Sequence, residues 1–182
     1  MKRFLFAASL AMLMLLGGCS TTRQEQTPFE ILKQSVVDRQ GNKMEIDSDY
    51  LLMYYAADWC PYCVAYADQL KQTYEQYKQL FGNRIEIIFA GHKDDQSNQA
   101  LLAFLDQGNY PFGYIRFEDR ERTNVMGLLG PDRFYIPGFL LLDRDGNILS
   151  SSNGETKDDY VRDRPLYHLQ SLLMQDCASC QK

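Results

Sequence analysis

The stretch from Leu51 to Cys63 limits the possible folds of this chain more than any other. An apolar run, Leu51 to Ala57, predicts a buried strand, two cysteines spaced C-x-x-C follow it, and a helical period begins directly after them. A helix N-terminus favours negative charge, so a thiolate placed there is stabilised. The thiolate is the form of cysteine that attacks disulfides, and a second cysteine one turn later can resolve the mixed disulfide. The stretch therefore predicts thiol–disulfide exchange.

The first eighteen residues have the pattern of a targeting segment. Met1-Lys2-Arg3 is basic, and Phe4 to Leu16 is apolar except for one serine, which suits a signal-peptide core and is too short for a comfortable membrane span. The segment ends in Leu16-Gly17-Gly18-Cys19, which resembles the lipobox of bacterial lipoproteins. The resemblance implies removal of residues 1–18 and lipidation of Cys19. A plain secretory signal that happens to contain a cysteine is the alternative.

A lipidated Cys19 implies a protein anchored in the bacterial cell envelope and facing the periplasm. Ser20 resembles the residue that sends enterobacterial lipoproteins to the outer membrane. Residues 19–28 are polar and are predicted to tether the domain to the membrane. Residues 29–176 have the length of one domain, and residues 177–182 form a C-terminal tail.

Composition narrows the classes of partner. The chain has 182 residues and a formal charge of −5, which becomes −7 once Lys2 and Arg3 are removed. With no basic patch, this charge argues against nucleic acid. No Gly-rich phosphate loop is present, and we expect no cofactor besides a redox-active disulfide. Of five cysteines, Cys19 takes lipid, and two C-x-x-C pairs remain that can be oxidised outside the cytoplasm.

Apolar periodicity predicts alternating strands and helices along the domain. Strand, helix and strand in succession imply a parallel pair joined by a right-handed crossover. The predicted elements are a hairpin within 29–46 around Asp38–Asn42, a strand at 51–57, a helix at 61–81, a strand at 85–90, a helix at 96–107, an extended piece at 114–117, a short helix at 123–128, strands at 139–142 and 147–150, and a last helix from Asp163.

Two motifs together carry a resemblance to a known family. Trp59-Cys60-Pro61-Tyr62-Cys63 follows an apolar strand, and Ile136-Pro137 opens a later one. This combination resembles the thioredoxin superfamily, and within it the tryparedoxin and nucleoredoxin branch. The resemblance implies an α/β thioredoxin-like fold, a central mixed sheet flanked by helices, and a thiol–disulfide oxidoreductase.

The resemblance also implies roles for individual residues. Cys60 is the expected nucleophile and Cys63 the resolving thiol. Substrate binding is expected from the residues around the pair and from the later strand, where a cis proline faces the disulfide: Trp59, Pro61, Tyr62, Ile136 and Pro137.

Three positions depart from the thioredoxin pattern. The dipeptide Pro61-Tyr62 resembles glutaredoxins, Tyr54 stands where thioredoxins carry a buried aspartate, and Val64 stands where they carry a basic residue. Asp58, the nearest carboxylate, is predicted to be a solvated loop residue. These departures leave the direction of the reaction open, and we expect a reductant by resemblance to the branch.

The C-terminal pair Cys177-Ala178-Ser179-Cys180 lies outside the resemblance. One interpretation is a local surface disulfide without function. A second is a redox relay in which Cys177 and Cys180 exchange with Cys60. A third is a tetrahedral zinc site built from four cysteines, which would silence the redox pair.

The function that these features predict is exchange of disulfides with protein substrates, with a partner redox protein that restores the dithiol. The alternative is a lipoprotein that binds copper or zinc through thiolates. The lack of a nearby histidine or methionine argues against it, and we expect no metal ligands. An inactive envelope protein is a third hypothesis, which the intact motif disfavours. His92 and His168 are predicted to be isolated residues without a catalytic role.

Overall fold

A computed structural model of the chain describes residues 26–156 and 158–175. The elements in chain order are α1 (Pro28–Lys33), β1 (Val36–Val37), β2 (Tyr50–Tyr55), α2 (Pro61–Ala65), α3 (Ala67–Phe81), β3 (Ile85–Phe89), α4 (Asn98–Gln107), β4 (Gly113–Ile115), α5 (Arg120–Thr123), β5 (Gly138–Asp143), β6 (Ile148–Ser151) and α6 (Arg164–Gln175), with short 3-10 turns at 82–84, 117–119 and 127–129.

The strands form one mixed sheet in the order β1-β4-β3-β2-β5-β6. Strands β2, β3 and β4 are parallel, as expected of strands joined by helical crossovers, whereas β5 runs antiparallel to β2 and β6 antiparallel to β5. Strand β1 pairs antiparallel with β4 at the other edge. The predicted α/β fold with a central mixed sheet flanked by helices is confirmed.

Strand β2 lies in the middle of the sheet and is buried on both faces. Leu52 and Tyr54 belong to the cluster covered by α3, α4 and α6, while Leu51, Met53 and Tyr55 belong to the cluster covered by α1 and the segment after α5. Successive strand side chains point to opposite faces, so a strand enclosed between two layers is apolar throughout. The end of β2 is therefore held firmly where the cysteine motif begins.

Two hairpin turns of the sheet have the same construction, because both are written Asp-Arg-x-Gly-Asn. In each, the aspartate accepts backbone N–H groups two and four residues later and the side-chain amide of the asparagine: Asp38 with Asn42, and Asp143 with Asn147. The glycine before each asparagine has a φ of +83° or +87°, which side chains disfavour. These hydrogen bonds hold the pKa of both carboxyls below the usual aspartate value. The turn predicted around Asp38–Asn42 is confirmed, and the second turn joins the two strands predicted at 139–142 and 147–150.

The beginning of the domain differs from the prediction. Pro28, predicted to belong to the tether, and residues 29–33, which begin the region predicted to contain the hairpin, lie in helix α1. Thr27 caps this helix by accepting the N–H of Glu30, and proline is well suited to the first helical position. The first arm of the predicted hairpin is reduced to Val36–Val37.

The predicted helix over 61–81 is divided at Tyr66, which ends α2 and precedes α3. The N–H of Tyr66 bonds the carbonyl of Cys63, three residues back, and its hydroxyl donates to Asp163 before α6 at 2.7 Å. This contact with a distant segment has no signature in the helical period. Helix α4 likewise begins at Asn98, where Ser97 caps it, two residues later than predicted.

The segment between β4 and β5 also differs from the prediction. The predicted extended piece ends at Ile115, and Phe117 lies in a 3-10 turn. The short helix is α5, which ends where Asn124 adopts a left-handed conformation with φ of +51°. Asparagine tolerates this conformation better than most residues, so the helix ends at Thr123, the first residue of the predicted range.

Several predictions concern residues outside the described ranges. They are the signal peptide, Cys19, most of the tether, and the pair Cys177 and Cys180. Within residues 26–156 and 158–175, no helix combines the length and apolarity that crossing a membrane requires.

Candidate active site

The motif cysteines lie where β2 delivers the chain to α2. Cys60 and Cys63 are both buried, with 4% and 0% exposure, and their sulfurs are at disulfide distance, 2.50 Å. Cys60 is the N-cap of α2, and Pro61 occupies the first helical position, where a missing N–H costs little. The structure therefore brings the two predicted site cysteines together at a helix N-terminus.

The backbone at this N-terminus supplies a donor to the sulfur of Cys60. The N–H of Cys63 points at that sulfur, with a nitrogen–sulfur distance of 3.2 Å. A hydrogen bond from a backbone N–H stabilises a negatively charged acceptor more than a neutral one. Val64, which is 36% exposed, adds no positive charge beside this sulfur. Among the described contacts, the backbone N–H of Cys63 is the donor to the sulfur of Cys60.

The segment before β5 faces the cysteine pair. The Ile136–Pro137 peptide bond is cis, and the carbonyl oxygen of Ile136 lies 3.8 Å from the sulfur of Cys60. The hydroxyl of Tyr160 donates to the carbonyl of Pro137, and Asn153 donates to the carbonyl of Arg133. These bonds fix the loop on the segment between β6 and α6, and they hold the Ile136 carbonyl beside the reactive sulfur.

Exposed aromatic side chains surround the buried sulfurs. Trp59 is 58% exposed and Tyr62 is 76% exposed, although large apolar residues are usually covered. Pro61 is also exposed, Ile136 is half-buried, and Pro137 is buried. Clustered exposed apolar side chains mark interaction surfaces, so this rim offers a place for an apolar segment of another protein.

Tyr54 lies in β2, six residues before Cys60, and belongs to the same apolar cluster as both cysteines. It is fully buried, stacks on Phe139 with ring centroids 4.9 Å apart, and its hydroxyl lies 3.5 Å from that of Tyr110. Burial raises the pKa of Tyr54 well above the usual tyrosine value. This phenol therefore stays protonated at neutral pH, and Asp58 is a solvated loop residue, as predicted.

The sequence analysis missed the neighbour of Trp59. The imidazole of His92 packs edge-to-face against the indole, with ring centroids 5.0 Å apart and planes at 86°. His92 follows β3 and is 33 positions further along the chain, so no local motif links the two residues. The prediction that His92 is isolated is wrong, whereas His168 is exposed on α6, as predicted.

A buried ion pair fixes the loop that carries His92. The guanidinium of Arg120, on α5, pairs with the carboxylate of Asp95 at 2.7 Å, and both side chains are less than a tenth exposed. Arg120 also donates to the carbonyls of Ala90 and His92, and Asp95 accepts the N–H of His92. Gly91 has no room for a side chain, since a Cβ would collide with Arg120, Asp95 and Leu101.

The described residues give little support for a metal site. Among the described residues, no group of three or more His, Cys, Asp or Glu side chains is arranged to hold a metal ion. Cys60 and Cys63 alone supply two sulfurs, fewer than the four ligands of a structural zinc site.

Comparisons with known proteins agree with this geometry. A family model described as thioredoxin-like matches residues 47–148, which include both cysteines and the cis proline. Zebrafish nucleoredoxin is 27% identical over 109 residues, which are 58% of this chain and 24% of that protein. A probable nucleoredoxin 3 of rice is 25% identical over 126 residues, 65% of this chain and 25% of that protein. The chain therefore spans about a quarter of the length of these relatives.

A solved structure shows the same fold. Native tryparedoxin I from Crithidia fasciculata superimposes with a TM-score of 0.55, covering 82% of this chain and 94% of that one, at 15% sequence identity. At this identity the match concerns the fold. It supports the architecture around the site and leaves the reaction to be argued from the site's own residues.

Proposed function

The chain belongs to the thioredoxin-like family, and from this premise we propose that it is a thiol–disulfide oxidoreductase acting on protein substrates through Cys60 and Cys63. One observation carries the proposal. The sulfur of Cys60 caps a helix, accepts a backbone N–H and lies beside the carbonyl before a cis proline, within a rim of exposed aromatic side chains. This arrangement favours a thiolate and gives a peptide a surface on which to bind.

The reaction that we propose moves two electrons and two protons. The Cys60 thiolate attacks one sulfur of a substrate disulfide, forming a mixed disulfide, and the other substrate sulfur leaves as a thiolate and takes up a proton. Cys63 then loses its proton and attacks the sulfur of Cys60. The Cys60–Cys63 disulfide forms, and the second substrate thiol is released.

We propose that the protein works as a reductant, which requires a partner dithiol protein to reduce the Cys60–Cys63 disulfide after each turnover. The resemblance to tryparedoxins and nucleoredoxins supports this direction. Substrate contact is assigned to Trp59, Pro61 and Tyr62 on one side of the pair. On the other side it is assigned to Ile136, whose carbonyl faces the sulfur of Cys60, and to the cis proline Pro137.

The proposed place of work is the bacterial cell envelope, outside the cytoplasm. The basic start, the apolar core of Phe4 to Leu16 and the lipobox-like Leu16-Gly17-Gly18-Cys19 support a lipid anchor on Cys19 facing the periplasm. Mass spectrometry of the protein from membranes tests this directly. A mature chain that begins at Cys19 and carries fatty acids is the expected result, and an unmodified Cys19 would contradict it.

The reduction potential of Cys60 and Cys63 tests the proposed activity and its direction. We expect equilibration with dithiothreitol and a potential of about −270 mV, where thioredoxin lies, whereas about −120 mV would indicate a disulfide-forming oxidant. Thiol labelling across a series of redox buffers gives the value. A pair that exchanges with neither dithiothreitol nor glutathione would refute the oxidoreductase. Metal bound to protein purified under reducing conditions would then favour the thiolate metal site.

The redox relay through Cys177 and Cys180 is tested on a matched variant by the same titration and by the rate at which the Cys60–Cys63 disulfide is reduced. Replacing both tail cysteines with serine should leave the potential of Cys60 and Cys63 unchanged, because the described contacts of these two residues come from β2, α2 and the segment before β5. A slower reduction of the pair in the serine variant, at an unchanged potential, would support the relay. Equal rates would favour a local disulfide.

A further inference from the structure

His92 has two environments available to it, one for each protonation state. In the structure its Nδ1 accepts the backbone N–H of Asp94 at 3.2 Å, so the proton of the neutral ring is on Nε2. The carboxylate of Asp94 lies 3.6 Å from the same nitrogen. A protonated ring carries hydrogen on both nitrogens and can no longer accept the N–H. It must give up that bond and turn towards the carboxylate.

The ring of His92 is also an important contact of Trp59. The indole is 58% exposed, and the edge-to-face imidazole is its described aromatic partner. The imidazole itself is covered, since its side chain is 13% exposed. A covered, hydrogen-bonded ring restrains the indole, so a change in the ring's hydrogen bonding is transmitted to Trp59, directly before Cys60.

The contacts of the loop around His92 fix the backbone of this residue, while the imidazole ring can change its hydrogen bonds. The buried pair of Arg120 and Asp95 holds the N–H and the carbonyl of His92 from two sides. The charged groups that face the imidazole are Lys93, Asp94 and Asp95 from its own loop and Arg120 from α5. With the backbone fixed, protonation acts on the side-chain contacts of the ring.

We propose that His92 is a positioning residue that holds the indole of Trp59 beside the dithiol while neutral and releases it when protonated, so that acid weakens substrate binding. The effect on binding rests on the proposed function, whereas the effect on Trp59 does not. Burial lowers the pKa of His92 below its ordinary value of 6.5. The release therefore falls on the acid side of pH 6.5.

The depressed pKa of His92 also decides whether acid raises or lowers the stability of the fold. Because the folded pKa of His92 is depressed, the unfolded chain binds more protons at this residue in the window just below pH 6.5. The contribution of neutral His92 to stability is present above pH 6.5 and is lost as the pH falls below it.

Fluorescence tests the proposal without any activity assay, because Trp59 is the sole tryptophan and the chain has two histidines. The emission of the oxidised full chain is recorded from pH 8 to pH 4.5, since indole emission changes when the ring packed against it moves away. We expect one step with its midpoint below pH 6.5. His92→Phe, which keeps an aromatic ring but cannot be protonated, should lose the step. His168→Phe, on the exposed face of α6, should retain it.

Kinetics then separate positioning from a merely structural role. His92→Ala should raise KM for a protein disulfide substrate with little change in kcat, and the KM of the parent chain should rise below the fluorescence midpoint. A step that survives in His92→Phe, or no step in the parent chain, would overturn the proposal. If the fluorescence step depends on His92 but neither the parent chain nor any variant reduces disulfides, the proposed function is refuted. The proposal that His92 holds Trp59 remains supported in that case. If His92→Ala does not fold, His92→Phe still decides.

Discussion

A chain carrying Cys63→Ser should accumulate covalent complexes with its protein substrates, whereas the matched Cys60→Ser chain should accumulate few. Cys60 is the sulfur that faces the Ile136 carbonyl and the exposed aromatic rim, so it forms the mixed disulfide. Cys63 has no exposed surface and serves to release that bond. In both variants disulfide reduction should fall to the uncatalysed rate. Non-reducing electrophoresis and mass spectrometry of the captured partners measure the outcome.

The other cysteines must be controlled in this experiment. Replacing Cys177 and Cys180 with serine in both variants leaves Cys19 as the only cysteine besides the intact motif cysteine. Any adduct on Cys19 then appears equally in the Cys60→Ser chain and can be subtracted. Complexes that form through Cys63 in the Cys60→Ser chain would reverse the assigned roles. Trapping in neither variant, with a normal fold, would refute the proposed reaction.

The sequence predicted those parts of the fold that depend on local pattern. Short sequence patterns predict three kinds of element. They are the apolar run of β2, the 3.6-residue period of α3 and the Asp-Arg-x-Gly-Asn sequence of the turns. Helix α1 also has a local signal, since Thr27-Pro28 with Glu30 is a helix start, but the sequence analysis places residues 29–33 in the region of the predicted hairpin. The division at Tyr66 depends on Asp163, 97 positions away, and no window on the sequence contains both.

The candidate site divides in the same way. Cys60 and Cys63 are close in sequence, and Ile136-Pro137 is a motif by itself, so these residues were found and the structure places them together. His92, Asp95 and Arg120 were missed, because each is an ordinary residue of a polar loop or short helix. They become a unit only where the ends of β2 and β3 meet α5. The local sign is Gly91, two residues after the end of β3, since a glycine at such a point indicates a close approach of other groups.

Breaking the buried pair of Arg120 and Asp95 should cost far more stability than breaking an exposed ion pair. Arg120→Met leaves the Asp95 carboxylate buried without its counterion and removes the donors to Ala90 and His92. Removing one partner of a buried ion pair costs about 3–5 kcal/mol. For a domain of this size, this corresponds to a fall in Tm of about 6–20 °C, measurable by calorimetry or by circular dichroism.

An exposed pair provides the matched control. Arg144 pairs with Asp49 at the same distance of 2.7 Å, but its side chain is 61% exposed, so Arg144→Met should cost no more than about 1 kcal/mol. The double variant Arg120→Met with Asp95→Asn should be more stable than the sum of the single losses predicts, because it no longer buries an unpaired charge. If Arg120→Met costs no more than Arg144→Met, the pair does not anchor the loop. The fluorescence emission of Trp59 connects this stability measurement to the site. In Arg120→Met, release of the loop that carries His92 should shift the emission. In Arg144→Met, the emission should stay unchanged.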